Sequence, residues 1–524
     1  MSERLYNGIE LPEEWPPVEN PMDFQPTRCP YLSNPPDVID ITLGRQLFVD
    51  DFLYDWCWMA PAFHHPAKYD GNPIFVSETK AERNEELPPA TLPKCGGIWH
   101  DPADNLFKMW YMTSYLGNMA YATSHDGIHW ERPELDVVPG TNLILPLDLH
   151  PDSGTVWLDK DCQDASQRFK MLVREPNPPS KSYFPAMLFT SADGIHWSKP
   201  ILTGNMHDRS TMFYNPFRRK WVQSIRMYIS AKRCRCRYYW EDDDFIKSGK
   251  WQDDQPKYWT GADIMDYSRF SFPELYNLDA NAYESLMLGF YQILQGPPNQ
   301  IGENTAEPKL TELILGTSRD GFHFFRPDRT SFIGARRELG SWEYGYVEST
   351  GGIALIVGDE LWFYYSAYGG DSTRAGKFWA INGMYGNGAV GLAKMRRDGF
   401  ASLRATFEGA SFTTRKLRFT EGLGLYVNAN TSGELLSVEV QDAERQPLPG
   451  FSHDDCLGFR GNSTAAEIHW RNADFASLKG DVFRLSFRLN RGDIYSFWTS
   501  KNTKGASGGY VAAGGPGLSA SRDI

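Results

Sequence analysis

The apolar positions of this chain fall in short runs, and four of these runs end in closely related turns. The runs are rich in small and apolar residues and lie at residues 119–123, 186–190, 313–317 and 389–393. An Asp-Gly pair and then an aromatic residue follow each run, in the sequences SHDGIHW, SADGIHW, SRDGFHF and the divergent KMRRDGF. Gly supplies the positive φ of a tight turn, and the aromatic residue begins the next strand. The pattern predicts a β-hairpin unit that is repeated along the chain.

The spacing of these turns predicts the number of units. Their aspartates are Asp126, Asp193, Asp320 and Asp398, which leaves gaps of 67, 127 and 78 residues. Because the middle gap is about twice the others, it has room for a hidden unit, with strands in residues 210–225 and a degenerate hairpin in residues 241–251. Five sheet-sized units at this period are typical of a β-propeller.

The alternation of polar and apolar residues changes after residue 405. Stretches such as residues 434–440 and 483–489 have the period of half-exposed antiparallel strands, which predicts a β-sandwich. The expected fold class is therefore all-β, a five-bladed β-propeller followed by a C-terminal β-sandwich. The expected divisions are an N-terminal extension (1–43), the propeller (44–405), the sandwich (406–500) and a flexible tail rich in Gly, Ala and Ser (501–524).

Composition narrows the classes of function. The chain has 524 residues, 14% aromatic residues and a formal net charge of −13, which argues against a nucleic-acid partner. Its seven cysteines are scattered, which indicates free thiols in a reducing compartment. No apolar run has the length of a membrane span, and the first residues lack the apolar core of a secretory signal. We therefore expect a cytoplasmic protein without a membrane partner, although a secreted protein deprived of its signal would look the same.

Acidic residues near the predicted first strands are the candidate catalytic groups, because those strands line the axis of a propeller. Cleavage of a glycosidic bond needs one carboxylic acid as proton donor and one carboxylate as base or nucleophile. The strongest candidate is Glu284, since a carboxyl group in an apolar strand is costly to bury unless it is paired or functional. The other candidate acids are Asp208, Glu348, Asp50 and Asp51.

Each of these acids also has a purely structural interpretation. Asp208 and Arg209 can form a local ion pair, Glu348 can belong to a permissive turn, and Asp50 or Asp51 can be a solvated strand end. Arg209 and Tyr283 adjoin candidate acids, and His100 and Trp99 can contact sugar hydroxyls and rings; we assign these four, with Asp50, to substrate binding. The histidines of the repeated turns are architectural, and no residues have the spacing of a metal site. No cofactor is expected, although a structural Ca²⁺ remains compatible with the sequence.

The repeated Ser-x-Asp-Gly-x-His-Trp hairpins, the five units and the appended sandwich resemble the five-bladed propeller glycoside hydrolases of families 32 and 43. The resemblance covers roughly residues 44–405. It implies that Asp51 or Asp50 is the base or nucleophile, that Asp208 tunes a pKa, and that Glu284 is the general acid. The chain differs from the invertase type in having no Trp-Met-Asn-Asp-Pro-Asn-Gly and no Glu-Cys-Pro sequence.

The resemblance implies a glycoside hydrolase that acts on an oligosaccharide or small glycoside. Two alternatives stay open: a phosphorylase or transglycosylase on the same fold, and a non-catalytic carbohydrate-binding propeller, since fold alone does not decide function. The expected partner is a carbohydrate, and a homo-oligomer is compatible with the sequence.

Overall fold

The computed structural model describes residues 2–174, 180, 183–229, 234–268 and 272–524, and of Cys95 the backbone alone. The described chain is almost entirely β-structure, which confirms the all-β prediction. The strands are β1 (Val38–Asp40), β2 (Gln46–Leu47), β3 (Tyr54–Cys57), β4 (Ala60–Phe63), β5 (Ala67–Lys68), β6 (Thr91–Asp101), β7 (Leu106–Thr113), β8 (Met119–Ser124), β9 (Gly154–Leu158), β10 (Phe169–Arg174), β11 (Pro185–Ser191), β12 (Ile201–Asn205), β13 (Thr211–Asn215), β14 (Lys220–Ile229), β15 (Cys234–Asp242), β16 (Lys257–Gly261), β17 (Glu274–Glu284), β18 (Leu286–Gly296), β19 (Leu310–Ser318), β20 (Gly345–Glu348), β21 (Leu355–Val357), β22 (Glu360–Tyr368), β23 (Gly388–Arg396), β24 (Ala401–Ala405), β25 (Ser411–Thr414), β26 (Lys416–Arg418), β27 (Gly424–Asn430), β28 (Ser437–Gln441), β29 (Asn462–Ile468), β30 (Arg484–Arg488), β31 (Gly492–Ser500) and β32 (Tyr510–Val511). The helices are α1 (Pro30–Ser33) and α2 (Asn299–Thr305), with 3₁₀ turns at Ala165–Gln167, Lys247–Gly249, Ser372–Arg374, Trp379–Ile381, Gly383–Tyr385 and Phe475–Leu478.

Five consecutive antiparallel sheets form the middle of the chain. Sheet one contains β6–β8, sheet two β9–β12, sheet three β13–β16, sheet four β17–β19 with β32, and sheet five β20–β23 with β5. Sheet three occupies the wide gap between the second and third Asp-Gly turns, where the spacing predicts a hidden unit. That these sheets are the five blades of a propeller stays a prediction at this point.

The repeated turn has a local explanation in hydrogen bonding. In the first copy, Ser124 Oγ accepts the amide of Gly127 at 2.8 Å, and Asp126 Oδ1 accepts the amides of Ile128 and His129, each at 2.8 Å. The other Asp126 carboxylate oxygen lies 2.7 Å from His129 Nδ1. Gly127 has φ +75°, as the turn requires. The second and third copies repeat these bonds, so Ser, Asp, Gly and His in this pattern build a turn and are not a reaction site.

Hydrogen bonds connect each sheet to the next and sheet five back to sheet one. They involve the first strand of every sheet or the residues beside it, so these strands lie innermost. The bonds are Trp99 Nε1 to Val156 O, Arg209 N to Ser153 Oγ, Thr211 Oγ1 to Leu278 O, Asn281 Nδ2 to Ile353 O, and Ile98 N to Gly351 O, at 2.7–3.1 Å. The inner strands begin at one end of this ring, here called the mouth, and finish at the other, here called the floor.

Two further sheets enclose a separate hydrophobic cluster that includes Phe412, Phe487 and Phe497. One contains β29, β27, β31, β24 and β4 with β2 beside β31, and the other contains β28, β30, β25 and β3. Three of these strands, β2, β3 and β4, come from residues 46–63 and not from the C-terminal part of the chain. The predicted boundary at residue 44 therefore differs from the structure, because the pairing of these strands is long-range and leaves no local trace in the sequence.

Residues 501–524, predicted to be a flexible tail, are packed in the structure. Strand β32 pairs with the end of β17, and the segment that follows crosses the floor of the ring. The amide of Ala512 donates to Ala282 O in sheet four. The amides of His100 in sheet one and Ile356 in sheet five donate to Ala513 O and Gly514 O of the crossing segment. We call residues 507–515 the floor strap.

The glycine content of the floor strap, which favours disorder in a sequence, has a steric cause here. A Cβ atom on Gly509 would lie 2.1 Å from Glu284 Oε2, and one on Gly515 would lie 1.8 Å from Ile356 O. Only glycine allows the strap to approach the floor this closely.

The N-terminal residues wrap both parts of the molecule. Strand β1 pairs in parallel with β26, and the Tyr6 ring stacks on Phe217 of sheet three. Six described cysteines are free thiols: Cys29, Cys57, Cys162, Cys234, Cys236 and Cys456. No helix in the described ranges is long and apolar enough to cross a membrane. The expected cytoplasmic location stays a prediction.

Candidate active site

Four ion pairs surround the mouth of the ring. They bring together three residues singled out in the sequence, Asp208, Arg209 and Glu348, which lie at or beside the start of β13 and at the end of the short strand β20. The pairs are Arg209 Nη2 with Glu348 Oε1 (2.6 Å), Arg235 Nη1 with Glu274 Oε2 (2.8 Å), Arg226 Nη1 with Asp208 Oδ1 (3.0 Å) and Arg174 Nη1 with Asp152 Oδ2 (3.1 Å). Arg209 and Glu348 are buried, whereas the Asp208 and Arg174 side chains are 29% and 28% exposed, so the pairs extend from the rim into the ring.

Asp208 is held in its ionised form. Burial alone would raise its pKa, but the charges of Arg226 and Arg235, with smaller effects from Arg209 and Arg174, bring that pKa below its ordinary value. Tyr368 donates a hydrogen bond to Glu348 Oε2 at 3.2 Å, beside the Arg209 pair. Both carboxylates are therefore anchored by arginine and face the mouth as fixed negative groups.

Asp279, which the sequence reasoning missed, is a buried acid of a different kind. It lies on β17 between Asn277 and Asn281 and is 5% exposed. Ser349 Oγ and Asn277 Nδ2 both donate to its Oδ2, the latter at 2.8 Å, and no described arginine or lysine forms a salt bridge with it. Burial raises the pKa of Asp279 to about 6, although its hydrogen bonds and the charge of Arg237 oppose the rise. A carboxyl group in this state can be protonated near neutral pH and donate a proton.

A sequence signal for Asp279 exists in the period of the strand. Asn277, Asp279 and Asn281 are polar at every second position of an otherwise apolar segment, which indicates one polar face of a strand. The polar face is directed to the axis, because Asn281 Nδ2 donates to Ile353 O, beyond the end of β20, at 2.7 Å.

Tyrosine rings form a wall beside these charges. Tyr115 and Tyr385 stack with ring centroids 3.9 Å apart and an interplanar angle of 2°, and Tyr346 stacks on Tyr385 at 5.7 Å. Tyr276 faces the guanidinium of Arg209 at 5.2 Å. These four rings are buried, so the tyrosine wall is a packed support beside the charged groups of the mouth.

Glu284, the strongest candidate from the sequence, lies at the floor and not at the mouth. Residues 283–291 are not one strand, because the chain turns at Ser285 between β17 and β18. Glu284 has φ +53°, which is rare for a residue other than glycine, so the sequence gives no sign of the turn. The prediction that Glu284 opens an inner strand is therefore wrong.

The surroundings of Glu284 are those of a structural ion network. Its side chain is fully buried; Arg397 Nη2 lies 3.0 Å from Oε1, and Arg45 N and Ser507 Oγ donate to Oε2 at 3.1 and 2.6 Å. Tyr283, expected to bind substrate, instead donates to Asp398 Oδ1 at 2.6 Å within the same network. We call this group, with Ser496 and Asp523, the floor network.

The four remaining candidates are also away from the mouth. Asp50 forms a bidentate pair with Arg319 of the third Asp-Gly turn, at 2.8–3.0 Å, and Asp51 is exposed beside it. Trp99 is buried and donates to Val156 O at 2.9 Å. His100 is buried at the floor end of β6, where burial lowers its pKa to about 4.

No group of three or more His, Cys, Asp and Glu side chains in the described ranges has the arrangement of a metal site. The expectation about Ca²⁺ is not tested by this observation. The chemistry at the mouth, as described, is that of carboxyl groups, arginines and tyrosines.

No family model and no curated protein matches the sequence. Solved structures that resemble the fold include an N-acetylgalactosamine deacetylase from F. plautii in complex with blood group B trisaccharide, at 15% identity over 66% of this chain and 96% of that chain, with a TM-score of 0.41. A glycosyl hydrolase from Bacteroides ovatus is 12% identical over 64% and 94%, with a TM-score of 0.38. A structure from the GH130 family of mannoside phosphorylases, which contains glycoside hydrolases that target β-1,2 mannosidic linkages in Candida mannan, is 12% identical over 64% and 94%, with a TM-score of 0.40. Glycoside hydrolases are thus among the proteins this chain is similar to, at a level that says nothing about its own reaction.

Proposed function

We propose that this protein is a carbohydrate-active enzyme that cleaves a glycosidic bond at the mouth of a five-bladed β-propeller, with a β-sandwich formed by the two further sheets. The observation that carries the proposal is Asp279, a buried carboxyl group with a pKa of about 6 on the inner strand of sheet four. General acids of glycosidases need this property, because the group must be protonated near neutral pH.

The proposed chemistry assigns the proton to Asp279. As the bond between the anomeric carbon and the glycosidic oxygen breaks, the oxygen keeps the electron pair and takes the proton of Asp279. The fixed charges of Glu348 and Asp208 stabilise the positive charge that develops at the anomeric carbon. An acceptor then forms the new bond to that carbon.

If the acceptor is water, Asp208 or Glu348 must act as the base. Asp208 is the more suitable of the two, because its side chain is more exposed than that of Glu348 and can meet a water molecule. The product is then a free sugar, and the protein is a glycoside hydrolase.

A second candidate, phosphorolysis, is favoured by the arginines. Asp208 and Glu348 each pair with a guanidinium group, and the lowered pKa of Asp208 makes that residue a weaker base. Asp279 is an acid without an ion pair among the described residues of the mouth. An inverting phosphorylase needs one acid, and its second reactant brings its own negative charge. Turnover that requires phosphate identifies this reaction.

The test is turnover of a panel of aryl glycosides and oligosaccharides, with and without phosphate, by the wild type and Asp279→Asn. Asp51→Asn is the matched control, since it makes the same change at an exposed carboxylate away from the mouth. We expect turnover in the wild type and the control, and a loss of about 10²–10⁴-fold in Asp279→Asn. Equal turnover in Asp279→Asn would contradict the assignment. Sugar binding without turnover in any of the three proteins would instead indicate a non-catalytic binding propeller.

A further inference from the structure

The mouth carries more positive charge than its ion pairs account for. The four pairs described above neutralise each other. The cations Lys94, Arg237 and Lys309 form no salt bridge among the described residues, and neither do the acids Asp279 and Glu303, of which Glu303 lies close enough for its charge to act on Lys309. Elsewhere the balance has the opposite sign, since the whole chain has a net charge of −13. A cationic site in an acidic protein indicates a ligand that is itself negative.

Lys94 is the clearest sign of a missing partner. Its side chain is 5% exposed, and its Nζ has no hydrogen-bond partner among the described residues. Its Nζ lies over the Tyr115 ring of the tyrosine wall, 5.1 Å from the centroid. A cation–π contact does not replace the water that a buried ammonium loses, so an anion is needed to complete this site.

The other two cations, Lys309 and Arg237, also indicate that the mouth binds a negative ligand. Lys309 is 3% exposed and contacts the side-chain oxygen of Asn299, and Arg237 is fully buried and donates to the backbone oxygens of Arg209 and Tyr276. Burial lowers the pKa of Lys309 to about 8 and that of Arg237 to about 9. Both positive charges are therefore buried without a salt bridge among the described residues.

We propose that the mouth contains a subsite for an oxyanion, bound by Lys94 beside the tyrosine wall, and that the substrate or co-substrate of this protein carries a carboxylate or phosphate group. This inference rests on the proposed function, because it names the class of molecule that the proposed active site takes. The oxyanion has two sources with the same chemistry: the carboxylate of an acidic sugar, or free phosphate.

Calorimetry tests the subsite without using turnover. The probes are inorganic phosphate, galacturonate and glucuronate, with galactose and glucose as their neutral counterparts. We expect at least one anion to bind ten-fold or more tightly than the neutral sugars and to bind more weakly as salt is added. If galacturonate or glucuronate binds, the source is an acidic sugar; if phosphate binds, it is the co-substrate. Equal affinity for neutral and anionic probes, or no binding of any anion, would overturn the proposal.

The variant Lys94→Met tests whether the anion binds at Lys94. Methionine keeps the length of the side chain and removes the charge, so the ligand-free variant should unfold at the same temperature as the wild type or a higher one. We expect this variant to bind the anion at least ten-fold more weakly than the wild type does. The control Lys377→Met, which alters an exposed lysine, should bind the anion as tightly as the wild type. Unchanged anion binding in Lys94→Met would place the anion elsewhere and overturn the subsite.

The same measurements separate this proposal from the proposed function. Asp279→Asn should keep its anion affinity while losing turnover, because Asp279 acts on the proton and not on the anion. If Asp279→Asn loses turnover and the wild type binds no anion, the proposed enzymatic function stands and the anion subsite is contradicted. If the wild type binds an anion and Asp279→Asn keeps its turnover, the subsite stands and the catalytic role of Asp279 is contradicted.

Discussion

Asp279 and Glu284 lie on the same strand, five residues apart, and both are buried carboxyl groups. Burial acts to raise the pKa of each, and at Glu284 the charges of Arg397 and Arg45 act against that rise. Two arginines, a serine hydroxyl and a backbone amide stabilise the carboxylate of Glu284 by ion pairs and hydrogen bonds. The carboxyl group of Asp279 has only two neutral hydrogen-bond donors, both on one oxygen. The comparison teaches that burial alone does not mark a catalytic acid; the partners decide whether a buried carboxyl group is anchored or available.

The same contrast holds for the two ends of the ring. The floor network connects Glu284, Arg397, Asp523, Arg45 and Asp398 in a chain of ion pairs. At the mouth, polar atoms are left without a partner among the described residues, including Lys94 Nζ, Asn277 Oδ1 and Thr155 Oγ1. Buried polar groups in folded proteins are normally hydrogen-bonded. The floor also has exceptions, at Arg45 Nε, Arg397 Nε and both ring nitrogens of His100, so what distinguishes Lys94 is a buried charge with neither a hydrogen bond nor a salt bridge among the described residues.

The largest effect should come from breaking the floor network. Glu284→Gln leaves Arg45 and Arg397 with less negative charge in a buried place, which should lower the free energy of unfolding by about 4 kcal/mol. Chemical denaturation measures this loss, with Asp279→Asn as the comparison. A stable Glu284→Gln protein that has lost turnover would reverse the roles of the two acids.

The second effect is the pH dependence of Asp279. Its pKa rises from 3.8 to about 6 on folding, so between these values the folded state binds the proton more tightly, and stability falls as pH rises through that window. At 1.36 kcal/mol per unit the penalty above pH 6 is about 3 kcal/mol. Asp279→Asn should therefore be more stable than the wild type at pH 8 and lose this advantage toward pH 4.

Turnover should follow the same group in the same direction. Because the proton donor is the protonated form of Asp279, kcat should be highest below pH 6 and fall as pH rises through that value. A pH profile with no inflection near 6 would show that another group donates the proton.

The third effect is the pH dependence of Asp398 in the floor network, where stability falls as the pH is lowered instead of raised. Burial acts to raise the pKa of Asp398, but Arg45, Arg397 and the hydroxyls of Ser496 and Tyr283 lower it to about 2. A group with a depressed pKa stabilises the fold above its unfolded value of 3.8, and this contribution, about 2 kcal/mol, is lost as pH falls toward 2. Asp398→Asn should thus be less stable at pH 7 and show a smaller further loss on acidification, which thermal unfolding at both pH values would measure.

The smallest effect should be at Asp51. Its side chain is exposed and lies apart from the mouth, so Asp51→Asn should change stability by less than about 0.5 kcal/mol and leave turnover unchanged. A large loss of turnover would restore the role that the resemblance to families 32 and 43 implies for this residue.

The parts of the fold that a sequence predicts are those with local causes. The Ser-x-Asp-Gly-x-His turns are legible because every bond that forms them lies within six residues, and their spacing placed the hidden unit where sheet three lies. The strands in residues 46–63 were assigned to the wrong part of the molecule, because their partners are more than 300 residues away.

The candidate site shows the same limit. Asp208, Arg209 and Glu348 were found because inner strands were recognised from their surroundings, and the structure brings them together. Glu284 was misplaced by a turn that uses no glycine or proline, and Asp279 was passed over because its neighbours give it no motif. The positive charge of the mouth could not be predicted from the sequence, since Lys94, Arg235 and Lys309 come from three different sheets or their connections.

The floor strap has a consequence for how the chain matures. Residues 507–515 include β32 and follow every other strand in the chain, yet they supply Ser507 to Glu284 and cross sheets one, four and five. Without the strap, Glu284 lacks the hydroxyl that Ser507 donates to it, so the floor network is complete only when the strap is docked.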